Sequence, residues 1–231
     1  MHFPISQLNK KLKSKEPLKG LISIWGDIGV GKTTFALQTT IINALDGKNT
    51  VYIYSKPNFP YEKIKNYIQT TPKHILDKIL FIQISDFNEL YILIFNLEFN
   101  ILDHSKEKEN NIDLILIDSI TNLYRLELNR EKKEKNFILN YKLNQILGNL
   151  YYLNKKYETE ILIISEISRV NVNGHTIQIQ SGGKIMDYWI AYSLKIERTE
   201  KLNYRKFILT KKEEEYSSQE YYLILTEKGF K

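Results

Sequence analysis

The sequence predicts an α/β fold, a mainly parallel central sheet with helices on both faces and an antiparallel extension at the C-terminus. Three observations predict it. Short apolar strands alternate with helical segments through the first 165 residues, the pattern that puts parallel strands under crossover helices. A glycine-rich turn, Gly26-Asp27-Ile28-Gly29-Val30-Gly31-Lys32-Thr33-Thr34, joins the first of these strands to the first long helix. After residue 165 strand-like segments follow one another, with a charged turn between the last two.

Taken in order, Leu21–Trp25 is a short apolar strand, and apolar residues at helical spacing predict a helix over 33–45, stopped by Asp46-Gly47-Lys48-Asn49. Val51–Tyr54 is a second strand. Pro57 and Pro60 mark a loop, and 61–69 reads as a helix. Ile79–Ile84 is a third strand. Asp86, with Glu89 three residues on, predicts the N-cap of a helix running to about Leu102. Leu114–Ile117 is a continuous apolar strand ending at Asp118, and a long helix follows over 131–157, interrupted only by Gly148. Glu160–Ser165 is another buried strand. Ser168–Ser181 is polar and without period, which predicts a mobile loop. Segments 189–197, 204–211 and 221–226 are the closing strands.

Composition narrows the class of protein. The chain of 231 residues suits one α/β core domain spanning 1–231, and its hydrophobic fraction of 42% excludes a disordered chain. No apolar run reaches the roughly 20 residues of a membrane-spanning helix. A soluble cytoplasmic protein without membrane association is therefore expected. With no cysteine there is neither a disulfide framework nor a thiolate metal site, and the four histidines (His2, His74, His104, His175) are scattered. The net charge of +6 is compatible with nucleic acid, although acids and bases are mixed along the chain, as on the solvated face of Glu131–Lys135.

Gly26, Gly31, Lys32 and Thr33 complete the spacing G-x-x-x-x-G-K-[ST]. The glycines let backbone N–H groups turn inward around a phosphate, and the following helix presents its positive end to the same anion. Lys32 is expected to reach the β- and γ-phosphates, and Thr33 to place its hydroxyl on Mg²⁺. A chance match in a chain of this length arises roughly once in a hundred from ordinary residue frequencies. Here the match also lies between a strand and a helix. Asp118, at the carboxyl end of an apolar strand, is placed to hold Mg²⁺ through its water shell. ATP and Mg²⁺ are the expected ligands.

Residues around these two motifs resemble a known family. Asp118-Ser119-Ile120-Thr121-Asn122-Leu123-Tyr124-Arg125 is similar to the segment after the metal aspartate in archaeal RadA and RadB proteins of the RecA family. Ile5-Ser6 through Leu12 resembles the short opening helix of that family. Gly182-Gly183-Lys184-Ile185-Met186-Asp187-Tyr188-Trp189 resembles the glycine pair and helix that close its second DNA-binding loop, nearer to RadB in its aromatic pair. Leu225–Phe230 resembles the family's last strand. The resemblance implies a P-loop NTPase of RecA type, ATP-dependent association with DNA (single-stranded DNA being expected), and a role in homologous recombination. It assigns DNA contact to Gly182, Gly183 and Lys184, and the loop before them carries Arg169 and His175, which either track a phosphate backbone or belong to a plain surface loop. A helical N-terminal DNA-binding domain and a phenylalanine-containing tether are not recognised. That implies an accessory paralogue, with a RadA-type recombinase or a second copy of this chain as protein partner.

The chain also departs from the family. Lys56 stands where the family's water-activating glutamate is expected, and a protonated lysine is no general base. Slow hydrolysis is expected unless Glu62 or Glu166 replaces it. The adenine-stacking arginine falls at Pro60, beside Tyr61, which either stacks instead or is a plain surface aromatic. Ile167 falls near a glutamine that senses the γ-phosphate. Lys211 and Lys212 fall near a place where family members reach a neighbour's ATP. Two other readings stay open at this point: a KaiC-like regulatory or scaffolding ATPase without a DNA role, and an active DNA-dependent ATPase with a relocated base.

Overall fold

A computed structural model describes residues 1–12, 20–57, 60–61, 64–65, 72–104, 111–129, 131, 133–212 and 218–231. In chain order the elements are α1 (Ser6–Leu12), β1 (Leu21–Gly26), α2 (Lys32–Leu45), β2 (Thr50–Tyr54), a 3₁₀ turn (Lys73–Lys78), β3 (Ile79–Gln83), α3 (Phe87–His104) and β4 (Leu114–Asp118). They continue with α4 (Ile120–Glu127), α5 (Lys133–Tyr157), β5 (Glu160–Ser165), β6 (Ile167–Val172), β7 (His175–Gln180), α6 (Gly183–Trp189), β8 (Ile190–Arg198), β9 (Tyr204–Lys211), β10 (Ser218–Thr226) and β11 (Gly229–Phe230).

The central strands are apolar at nearly every position because both their faces are covered. Successive side chains point to opposite faces of a sheet, so each strand divides between two cores. In β4, Leu114 and Leu116 enter one core, and Ile115 and Ile117 enter the other. β5 splits in the same way, Leu162 and Ile164 against Ile161 and Ile163. The first core lies under α1 and α2, where Phe35 meets Phe3, Phe207 and Phe230 at ring-centroid distances of 6.0, 5.3 and 5.8 Å. The second lies under α3 to α6. Its main stripe is Leu139, Leu143, Ile146, Leu147, Leu150 and Leu153 of α5, at the three- and four-residue spacing of one helix face.

Among the described residues nine strands form one sheet in the order β11-β10-β9-β8-β1-β5-β4-β2-β3. The run from β8 to β3 is parallel. β8, β9, β10 and β11 pair antiparallel, which is the edge extension expected from the sequence. The expected cap of α3 is present. Asp86 Oδ1 accepts from the Glu89 N–H at 2.8 Å, while the Glu89 carboxylate reaches back to the Ser85 N–H at 2.7 Å. Gly148 proves more than a tolerated interruption. A Cβ there would stand 3.3 Å from the Trp189 indole, which packs across α5 at that point.

Three expectations need correction or fall outside the description. Segment 168–181 is not a loop but the antiparallel hairpin β6–β7, closed by Asn173-Gly174 with φ of +54° and +81°. Asn-Gly between alternating residues is the sequence signal for such a two-residue turn, and the alternation is present, with Val170, Val172, Ile177 and Ile179 on one face of the ribbon and Arg169, Asn171, Thr176 and Gln178 on the other. Helix α4, capped by Ser119 whose side chain accepts from the Asn122 N–H, was not anticipated after Asp118. The helix expected over 61–69, Glu62 included, lies mostly outside the described residues. No described helix is long and apolar enough to cross a membrane.

Candidate nucleotide-binding cleft

Four adjacent strand ends build the cleft. β5 lies between β1 and β4, and β2 lies beyond β4. Their carboxyl ends therefore deliver, side by side, the glycine-rich loop after β1, Glu166 after β5, Asp118 at the end of β4, and Lys56 just past β2. This is where the crevice of an open parallel sheet forms. The cleft holds about 560 Å³ and is lined by Gly29, Gly31, Lys32, Thr33, Lys56, Asn122, Arg125 and Glu166, among others.

The loop keeps its shape because two glycines cannot be replaced. Gly26 has φ +151°, and a Cβ there would lie 2.2 Å from the Ile196 carbonyl oxygen. Gly31, the residue before α2, has φ +105°, and a Cβ there would lie 2.6 Å from the Phe230 ring. Both conformations are open to glycine and costly to other residues. Lys32, 5% exposed, donates to the Gly26 and Asp27 carbonyl oxygens at 2.7 and 2.9 Å and pairs with Glu166 at 3.1 Å. From outside, Arg198 donates to the Ile28 carbonyl at 3.0 Å, and Arg169 pairs with Asp27 at 3.1 Å.

Asp118 is fully buried. Its Oδ2 accepts from the Tyr52 hydroxyl at 3.1 Å, and its Oδ1 has no hydrogen bond among the described residues. The ammonium of Lys56 stands 3.3 Å from that Oδ1, donates to the Thr33 hydroxyl at 3.3 Å, and lies 3.8 Å from Glu166. Its backbone is fixed by its neighbour. Ser55 N–H donates to the Asp118 carbonyl at 2.8 Å, and the Ser55 hydroxyl exchanges two 2.9 Å hydrogen bonds with the Ser119 backbone. Glu166 is held by its own N–H, which donates to the Thr121 hydroxyl at 2.7 Å.

Burial pushes the Lys32 pKa below its ordinary value. Glu166 opposes that shift, and Lys56 adds to it. Burial, and then the Asp118 carboxylate, raise Tyr52 well above the usual phenol range and push Tyr54 up to about 12. Tyr52 therefore stays a hydrogen-bond donor to Asp118, leaving Oδ1 as the oxygen turned to a cation.

The structure brings Lys32, Thr33, Asp118 and Glu166 together with the loop Gly26–Gly31. Glu166, rather than Ile167, enters the cleft; the Ile167 carbonyl accepts from Arg125 at 3.2 Å instead. Tyr61, 72% exposed, lies outside the cleft lining. The residues assigned to DNA contact are spread out. Arg169 leans on the glycine-rich loop, His175 is exposed next to the hairpin turn, and Gly182, Gly183 and Lys184 begin α6. Lys212 donates to the Tyr188 carbonyl at 2.5 Å and lies over that ring. Arg125 was not foreseen in the cleft, because its approach depends on α4.

Fold and cleft together define a P-loop nucleotide-binding protein with a RecA-type core. The comparisons agree. No family model matches the chain. The DNA repair and recombination protein RadB of Methanocaldococcus jannaschii is 34% identical over 191 residues, covering 80% of each chain. That of Methanococcus maripaludis is 31% identical over 207 residues, covering 88% of this chain and 87% of its own. A crystal structure of the RadB recombinase superposes with a TM-score of 0.70 at 25% identity, covering 91% of this chain and 89% of that one. The chain belongs to the RadB family. These comparisons do not favour the KaiC-like alternative.

Proposed function

We propose that this protein binds ATP in the cleft and acts as an accessory factor in DNA repair by homologous recombination, hydrolysing ATP slowly. One observation carries the reading. The position where the family resemblance expects a water-activating carboxylate holds Lys56, whose ammonium contacts Thr33 and Asp118. Of the two substitute bases, Glu166 lines the cleft, and its carboxylate faces two ammonium groups at 3.1 and 3.8 Å.

Lys32 and Arg125 would receive the phosphates, the N–H groups of Ile28 to Thr34 would surround them, and Tyr61 would offer its ring to the adenine. Thr33 and Asp118 are the groups expected to hold Mg²⁺ in a P-loop site, but here the Lys56 ammonium stands 3.3 Å from both oxygens. The hairpin with Arg169 and His175, together with Gly182, Gly183 and Lys184, is the proposed surface for single-stranded DNA. A RadA-type recombinase, or a second copy of this chain, is the proposed protein partner, in the cytoplasm.

The test is ATP hydrolysis with and without single-stranded DNA in wild type, Lys32→Ala and Lys56→Glu. Slow basal turnover, little stimulation by DNA, and a faster Lys56→Glu variant are expected. Brisk DNA-stimulated turnover in wild type, abolished by Lys32→Ala, would refute the accessory reading.

A further inference from the structure

We infer that Lys56 is a built-in cation that takes the place of the divalent metal, so that this protein binds nucleotide without Mg²⁺. The inference rests on the nucleotide-binding reading of the cleft and concerns which positive charge serves it. A P-loop metal is held between the hydroxyl after the loop lysine and an acid at a neighbouring strand end. Here those two groups are Thr33 Oγ1 and Asp118 Oδ1, and the Lys56 ammonium is 3.3 Å from each. Asp118 Oδ1 has no hydrogen bond among the described residues, so the ammonium is the charge that offsets it.

The placement is built into the backbone. The Ser55 hydrogen bonds to Asp118 and Ser119 tie the end of β2 to the end of β4, and Lys56 is the next residue. A third anion completes the arrangement, Glu166 at 3.8 Å. Two ammonium groups, Lys32 and Lys56, thus face two carboxylates, Asp118 and Glu166. A hydrated Mg²⁺ bonds oxygen at about 2.1 Å. It could not share Thr33 Oγ1 and Asp118 Oδ1 with an ammonium without strong repulsion. The two cations therefore exclude one another there, and Lys56, whose backbone is positioned by the Ser55 hydrogen bonds, already stands in the place. Its three donors and single charge can meet phosphate oxygens but cannot impose octahedral geometry, which accords with binding in preference to turnover.

The experiment is a titration of the full chain with a fluorescently labelled ATP analogue, in EDTA and in Mg²⁺. Wild type is expected to change its dissociation constant by less than about threefold between the two conditions, whereas Lys56→Glu should lose at least about tenfold in EDTA and recover with Mg²⁺. Lys56→Met keeps the length without the charge and should show the same acquired metal dependence, so the test stands if the glutamate variant fails to fold. A wild type that loses tenfold or more in EDTA would overturn the inference while leaving the ATP-binding reading intact. Absence of binding in both conditions would overturn both.

Discussion

Glu166→Gln should make the free protein less stable and the nucleotide complex tighter. In the free protein the Glu166 carboxylate, 13% exposed, holds Lys32 at 3.1 Å and faces Lys56 at 3.8 Å. Only the first is within hydrogen-bond reach, and a hydrogen bond to a charged group contributes about 1.5–3 kcal/mol. Glutamine keeps the shape and one acceptor oxygen, so the expected loss is about 1–2 kcal/mol, or roughly 2–8 °C in Tm for a chain of this size. Nucleotide reverses the sign. Phosphate oxygens must take Lys32 from Glu166, and a carboxylate about 4 Å from a phosphate charge is repelled by up to about 4 kcal/mol at an effective dielectric of 20. Recovering a third of that raises affinity by about tenfold. Thermal unfolding without nucleotide and calorimetric titration with ATP read the two effects separately. If stability and affinity fall together, Glu166 supports the phosphates instead of competing with them, and the reasoning fails.

Gly31→Ala should cost about 1–3 kcal/mol through its left-handed backbone, more where the Cβ meets Phe230, and should abolish ATP binding; thermal melts and titration check this. Gly174→Val strains only the hairpin turn, since a Cβ there meets nothing within 4 Å. Hydrogen exchange should rise across 167–180 while ATP affinity stays unchanged. Arg169→Ala removes an exposed ion pair, so stability should move by less than about 1 kcal/mol, whereas the salt dependence of binding to single-stranded DNA should flatten by about 0.7 of a unit. Tyr52 and Tyr54 have raised folded pKa values, so the unfolded chain loses these protons first. The stability they confer is complete below about pH 10 and is lost as pH rises toward 12, the value for Tyr54. Tyrosinate absorbance during an alkaline titration should therefore rise together with loss of structure. Smooth titration of every tyrosine in a still-folded protein would refute this.

The sequence by itself determined the layering and the phosphate loop, because both are written in local order. Continuous apolar strands such as Leu114–Ile117 can only be buried on both faces, and Gly26, Gly31 and Lys32 act within a single turn. It also placed Lys56 just past β2, marking a departure without showing what the lysine touches. Only the tertiary structure decided that. The order β1-β5-β4-β2 sets four strand ends side by side, and so brings residues 32, 56, 118 and 166 within hydrogen-bond or ion-pair distance. No local pattern encodes strand order, which is chosen by how the two cores pack. The same holds for Arg125, carried into the cleft by α4. The hairpin was legible in Asn173-Gly174, but its pairing with the glycine-rich loop through Arg169 and Asp27 spans 142 residues and exists only in the fold.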